Sequence, residues 1–343
     1  MLKMLIAATC IFTLIFTDSF AQTTVPPMDE DRSDKPTYER MEIEGSTIKQ
    51  PTFMTTVKDG DNYYGFVVNN GTNALVRLDY GNSLLNHPVT AVKVARLPAL
   101  SEGIQVVRDM DGWHVIVVGG MPGSFIMKID LGPSIKNISP VVVNWGNVGD
   151  LNFPTDLHVF KENGNWYGLT INYAGNSLTR FSFGVDFNAR PDGMNLGNIG
   201  SLNKPTGFAV SNAKGNWHLF ITNEEANSIS RLDFGNSLLG EPQGETFTYP
   251  QGLLRNPRDI CIMNDGTKLF ALVVNHYTTR ILRFDFDQQD LTAYPKNVSS
   301  DEGSVYFPIS ISSFMEGGSL YALITNYNTK SVTRMKMNPP LQH

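Results

Sequence analysis

From Pro51 to Met337 the chain runs in short stretches of alternating apolar and polar residues, broken by clusters of Gly, Asn, Asp and Ser. Alternation places every second side chain on one face, the pattern of a half-buried β-strand. No segment keeps a helical period over several turns. One stretch shows the plan. Pro205–Val210 is an apolar run opened by proline, which suits the first residue of a strand. Asn212–Asn216 is turn material, and Trp217–Asn223 is rich in aromatic and β-branched residues. After a second turn, Ser228–Phe234 alternates again, Gly235-Asn236-Ser237 breaks it, and Glu245–Thr248 supplies a weaker fourth strand.

This unit recurs six times. Arg77, Lys128, Arg180, Arg231, Arg283 and Arg334 follow one another at steps of 51, 52, 51, 52 and 51, as do Pro51, Glu102, Pro154, Pro205, Pro257 and Pro308. A period this regular sets the architecture. Four short strands joined by tight turns make one antiparallel blade, and six blades close a ring. The predicted fold is therefore all-β, a six-bladed β-propeller of four-stranded blades spanning 39–338, with 339–343 as a tail. A β-solenoid has much shorter repeats. The sixth unit lacks a fourth strand, stopping at Asn338-Pro339-Pro340, while Met41–Gly45 has the register of one. That N-terminal segment is expected to complete the last blade, so that no sheet edge of an open array is left exposed.

The first residues stand outside this pattern. Lys3, the apolar run Met4–Phe16 and the small residues of Ser19-Phe20-Ala21 form a secretory signal peptide over 1–21, too short in its apolar part for comfortable membrane spanning. Residues 22–38, with Pro26, Pro27 and Asp29-Glu30-Asp31-Arg32, read as a linker. After cleavage no transmembrane span is expected and the chain is exported. Only Cys261 remains, in the apolar run Ile260-Cys261-Ile262, so an intramolecular disulfide is impossible and a buried, inert thiol is expected.

Charge narrows the partners. The net charge is −6, with charged residues at 17% and no basic stripe, which argues against nucleic acid. A residue present in every unit is read as structural. Trp113, Trp166 and Trp217 share one position, for blade packing. Asn69, Asn172, Asn223, Asn275 and Asn326 close the second strand, where their side chains can bond turn backbone. The repeated cation has an acid two residues on at Asp79, Asp130, Asp233 and Asp285, which reads as an ion pair.

Function is sought where units differ. Antiparallel order brings the loop feeding each blade and the turn between its second and third strands to the same rim. Glu102, Met121, Tyr173, Glu224, Arg258, Tyr277 and Tyr327 gather there as a candidate ligand- or partner-binding face, with Glu225 and Ser310 beside them. Unit two departs most, with Gly119 for asparagine and one extra residue in Gly119–Gly123. Asp156, His158, Asp259 and His276 are the weak candidates for acid–base catalysis, against ordinary core roles. No G-x-S-x-G, H-E-x-x-H, P-loop, paired cysteines or compact D-x-D-x-D loop occurs, and no cofactor or metal is expected. Asn70-Gly71-Thr72, Asn137-Ile138-Ser139 and Asn297-Val298-Ser299 match the N-glycosylation pattern.

Ser230–Leu239 (SRLDFGNSLL) and Val76–Leu85 (VRLDYGNSLL) resemble the repeat of secreted propeller proteins of Bacteroidota-type bacteria. Pro205–Val210 and Ile221-Thr222-Asn223 are similar to the strand pattern of NHL-like six-bladed propellers, where aspartate more often stands at the place of Asn223. The resemblance covers about residues 41–337 and implies the fold, not one activity. Relatives of that kind often carry a C-terminal sorting domain. For a chain ending at His343, periplasmic, cell-surface and extracellular locations all stay open.

The leading expectation is a binding propeller for a protein or glycan, acting as a scaffold or subunit of a cell-envelope assembly. A propeller hydrolase, lactonase or lyase with a rim site is the second, and a purely structural module the third.

Overall fold

The computed structural model describes residues 35–43, 47–266, 268–287, 290–301 and 305–337. It is a ring of six four-stranded antiparallel sheets. The first strand of the described residues is β1 (Thr37–Arg40). Blade 1 follows as β2 (Pro51–Asp59), β3 (Asn62–Asn69), β4 (Ala74–Gly81) and β5 (Thr90–Arg96). Blade 2 is β6 (Ser101–Arg108), β7 (Trp113–Gly119), β8 (Phe125–Gly132) and β9 (Val141–Gly146). Blade 3 is β10 (Pro154–Glu162), β11 (Asn165–Asn172), β12 (Ser177–Gly184) and β13 (Asp192–Gly197). Blade 4 is β14 (Pro205–Ala213), β15 (Asn216–Asn223), β16 (Ser228–Gly235) and β17 (Gln243–Thr248). Blade 5 is β18 (Pro257–Asn264), β19 (Leu269–Asn275), β20 (Arg280–Asp285) and β21 (Lys296–Asp301). Blade 6 is β22 (Pro308–Glu316), β23 (Ser319–Asn326) and β24 (Ser331–Lys336), completed by β1.

The closing strand differs from the expected Met41–Gly45. Pairing runs Thr37↔Lys336 to Arg40↔Thr333, and Met41 N–H adds a bond to the Val332 carbonyl at 2.9 Å. Side-chain burial sets this register. Met41 is inserted between blades 6 and 1, against Val67, Leu323 and Val332. Glu44 and Gly45 of the expected strand lie outside the described residues.

The apolar faces meet between blades rather than inside one body. Six clusters of buried side chains fill the six seams: blades 1 and 2 around Phe66 and Trp113, 2 and 3 around Ile116 and Phe181, 3 and 4 around Leu169 and Leu219, 4 and 5 around Phe220 and Phe284, 5 and 6 around Phe270 and Ile324, and 6 and 1 around Tyr80 and Leu323. Each fully buried Phe or Leu contributes roughly 1.5–3 kcal/mol, so the ring holds only if every seam is filled.

The repeated polar residues bind these seams. Arg77, Arg180, Arg231 and Arg334 each donate to a backbone carbonyl of the following blade: Ile135, Leu238, Leu291 and Leu84. The last of these carries the pattern across the closure. The acids two residues on pair as expected, Arg77 with Asp79 and Arg283 with Asp285 at 2.6 Å, Arg231 with Asp233 at 2.9 Å and Lys128 with Asp130 at 3.3 Å. The strand-closing asparagines accept, through Oδ1, the N–H of a residue in the loop feeding their own blade: Lys49, Asn152, Asn203, Arg255 and Tyr306. Cys261 is buried, and burial first, then Asp259, pushes its thiol up to about 12, which fits an inert core residue. No helix among the described residues is long and apolar enough to cross a membrane.

Candidate functional site

The first strands of the blades, β2, β6, β10, β14, β18 and β22, pack on one another around the axis. Their opening residues form two layers.

The outer layer is a ring of hydroxyl bridges with two breaks. Thr52, Thr155 and Thr206 occupy the second position of β2, β10 and β14, and each donates Oγ1 to the first residue of the next blade: Ser101 at 3.4 Å, Pro205 at 3.1 Å and Pro257 at 2.9 Å. Thr325 donates to Thr52 O at 2.6 Å across the closure. At the same position β6 and β18, in the opposite blades 2 and 5, carry Glu102 and Arg258, and β22 carries the buried Ile309. His276 takes over the missing bridge of blade 5 by donating Nδ1–H to Pro308 O at 3.0 Å.

Blade 2 also shifts the sequence alignment by one. Ser101 pairs with Gly119 as Pro51 pairs with Asn69, so Ser101, not Glu102, opens the blade. The extra residue falls in the turn after Gly119, as expected.

The rim is built as the strand order predicted. The first residue of each turn between second and third strands bonds the loop feeding its blade: Asn70 to Gln50, Gly120 to Leu100, Tyr173 to Phe153, Glu224 to Lys204, His276 to Asn256 and Tyr327 to Phe307. This position exists six times and carries five residue types, tyrosine occurring twice. Together with Glu102 and Arg258 it forms one cluster at the axial mouth. Arg258 Nη1 donates to Glu224 Oε2 at 2.7 Å, and Asn256 Nδ2 donates to Glu224 Oε1 at 2.5 Å. Asn70 Nδ2 donates to Glu102 Oε1 at 3.4 Å, whereas the buried Glu102 Oε2 makes no hydrogen bond of full geometry, with the Thr52 hydroxyl beside the carboxyl.

The electrostatics tie these groups together. Burial raises the Glu102 carboxyl to about 7, against the lowering pull of Arg258, Asn70 and Thr52 and with a further push from Glu224. Burial works against the Arg258 charge, but Glu224, Glu102 and Tyr173 more than offset it and hold the guanidinium above its usual range. Tyr327 is raised by burial and then by Glu102. His276 is lowered to about 4 by burial and by Arg258, so it is a neutral ring with Nδ1 committed to Pro308 and its lone pair on Nε2. Tyr173 packs edge-on to Phe153, with the Lys204 ammonium 5.1 Å from its ring centre.

The inner layer is of another kind. Asp156 Oδ1 accepts Leu157 N–H at 2.7 Å and its Oδ2 accepts Phe208 N–H of blade 4 at 2.9 Å. Asp259 repeats this with Ile260 and with Ile311 of blade 6, both at 2.8 Å. Burial raises Asp156 to about 7 and, with Asp156 beside it, pushes Asp259 well above the carboxylate range. Both carboxyls are spent on holding inner strands together. His158 keeps some exposed surface beside Phe160, yet surrounding protein lowers it to about 4.

The structure thus brings Glu102, Tyr173, Glu224, Arg258, His276 and Tyr327 together. Asp156 and Asp259 lie one residue further along the inner strands, and Met121 and Tyr277 stand exposed on the turns at 43% and 61%. Sequence reasoning missed Asn70, whose place as first turn residue, equivalent to Tyr173 and Glu224, was the signal that could have found it. No group of three or more His, Cys, Asp or Glu able to hold a metal occurs among the described residues.

No family model matches the chain, and no curated protein matches it. Solved structures share its fold. The periplasmic gluconolactonase PpgL of Pseudomonas aeruginosa is 13% identical, with 85% of this chain and 82% of that one covered and a TM-score of 0.58. An α-L-arabinofuranosidase of Fusarium graminearum, solved with an iminosugar inhibitor, is 9% identical over 87% and 96%, with a TM-score of 0.57. The lectin SapL1, solved with α-methyl fucoside, is 10% identical over 85% and 95%, with a TM-score of 0.53. At these identities the likeness is one of fold.

Proposed function

We propose that this chain is an exported binding propeller that takes a glycan at the axial mouth, with Glu102, Tyr173, Glu224, Arg258 and Tyr327 as the contact residues. The observation that carries this reading is the break in the threonine ring at Glu102 and Arg258. Five seams are bridged by hydroxyls or by His276, and of the three positions without threonine Ile309 is buried and apolar, whereas Glu102 and Arg258 in opposite blades are charged and join the same cluster. A sugar offers hydroxyls to fixed carboxyl and guanidinium groups and an apolar ring face to tyrosine. Export rests on the signal-peptide pattern of residues 1–21, and the resemblance to NHL-like and Bacteroidota-type repeats agrees with it. A protein-linked glycan on an envelope partner would make the same mouth a scaffold contact.

Glycoside or lactone hydrolysis is the second reading. Glu102 favours it, because a carboxyl near 7 holds a proton at neutral pH and can act as general acid.

A glycan microarray probed with the purified protein tests the first reading. Retention of a defined subset of glycans supports it, and background signal throughout overturns it. Release of free reducing sugar from retained glycans would favour the second.

A further inference from the structure

The mouth contains two carboxyls and one guanidinium, and the two carboxyls are served unequally. Both oxygens of Glu224 have partners, Arg258 and Asn256. Glu102 has Asn70 on Oε1 and the Thr52 hydroxyl beside it, its Oε2 makes no hydrogen bond of full geometry, and the residue is 6% exposed. The charges acting on it are Arg258, already bonded to Glu224, and Glu224 itself. Tyr327 and the neutral ring of His276 stand by the same Arg258 guanidinium and bring no cation. Glu102 and Glu224 therefore share the one cation that acts on Glu102 whenever Glu102 is ionised, with Lys204 held over Tyr173 instead. A buried carboxylate without a matching cation is strongly disfavoured, so in the free protein a proton fills the deficit.

A ligand can fill the same deficit. A hydroxyl would satisfy Oε2 but leave the charge uncompensated. A carboxylate would add to the excess. An ammonium supplies both donors and charge. We propose that the ligand group seated at Glu102 is an organic ammonium, so that within the carbohydrate class the ligand is an amino sugar with a free amine. This rests on the mouth being the ligand site. The bound state pairs the ammonium with the Glu102 carboxylate, and the proton that Glu102 carried leaves to solvent.

Calorimetric titration of the purified protein near pH 6 with glucosamine, glucose, glucuronate and methylammonium tests this. Glucosamine is expected to bind about ten- to a hundredfold more tightly than glucose, the range of one charge-assisted hydrogen bond. Its binding heat should change between buffers of different ionisation enthalpy, reporting release of up to about one proton per site. Glu102→Gln should bring glucosamine down to glucose and abolish the buffer dependence, with Glu102→Asp restoring part of both. Equal binding of glucose and glucosamine, or preference for glucuronate, overturns the inference and leaves the glycan reading standing. Methylammonium binding that requires Glu102, with no sugar bound, supports the ammonium site and overturns the glycan reading. Failure of all four to bind overturns both.

Discussion

The Asp156 carboxylate of blade 3 accepts the backbone N–H of Phe208 in blade 4 at 2.9 Å while its other oxygen holds Leu157 of its own strand at 2.7 Å. One side chain thereby stitches two inner strands that have no ladder between them. Asp156→Ala leaves two buried amides without acceptors, at about 1–3 kcal/mol each. Asp156→Asn keeps one acceptor oxygen and should lose about half as much. Chemical denaturation of the two variants checks the order, and an Asn variant as unstable as the Ala variant would mean the amides are not the reason.

Gly207 lies between the two carboxylates. A Cβ there would meet Asp259 Oδ1 at 2.5 Å, Arg258 O at 2.6 Å and Asp259 Cα at 2.7 Å, two of them parts of the backbone that cannot rotate away. Gly207→Ala should therefore lower stability by roughly 1–3 kcal/mol or more, the scale of overpacking. Gly103, which faces the Asp156 backbone at 2.6 Å, should behave alike. A melting temperature for Gly207→Ala equal to wild type would contradict the close approach.

Much of this arrangement was legible in the sequence. The period gave six blades, and strand order gave the rim. The asparagines and basic residues proved structural, as expected of residues present in nearly every unit. The sequence could not show that Asp156 and Asp259 are tied to amides, because their partners Phe208 and Ile311 lie a whole blade away and are backbone groups. Asn70 could have been placed at the mouth from its position as first turn residue, but the abundance of turn asparagines hid it. The closing strand was misplaced because Met41–Gly45 alternates as well as Thr37–Arg40 does. Only the burial of Met41 against blade 6 decides between them.

The pH dependence has a definite sign at Glu102. Its carboxyl titrates near 7 when folded, against an ordinary 4.5, so its contribution to stability is complete below the ordinary value and is lost as pH rises through 7. Glu102→Gln stays neutral throughout. Relative to wild type, the variant should gain stability between pH 5 and 8, by up to about 3 kcal/mol at 1.36 kcal/mol per unit. Melting curves across this range measure it, and a difference that does not change with pH would be inconsistent.

His158 and His276 act in the opposite sense. Both titrate near 4 when folded, against 6.5, so their contributions are complete above 6.5 and fall away as pH drops through 4. His158→Gln, which cannot charge, should flatten the acid limb of the stability profile. An unchanged acid limb in that variant would place the acid sensitivity elsewhere.

Closure depends on β1, where Glu39 pairs with Arg334 and Met41 fills the seam to blade 1. Removal of residues through Met41 exposes the edge of β24 and empties part of the seam. Light scattering and thermal melting should show association together with a melting temperature lower by several degrees, since loss of a buried methionine alone costs about 2–5 kcal/mol. A truncated chain that stays monomeric and melts like wild type would mean that the ring does not need its first strand.

The central claim is that ligand enters at Glu102 and Arg258. The most direct measurement is the affinity of one array-selected glycan for wild type, for Arg258→Leu and for Met110→Ala, a control at a residue 97% exposed. The account predicts a loss of roughly thirtyfold or more for Arg258→Leu, equivalent to about 2 kcal/mol for a buried charged contact, and no change for Met110→Ala. Wild-type affinity in a folded Arg258→Leu protein would contradict it.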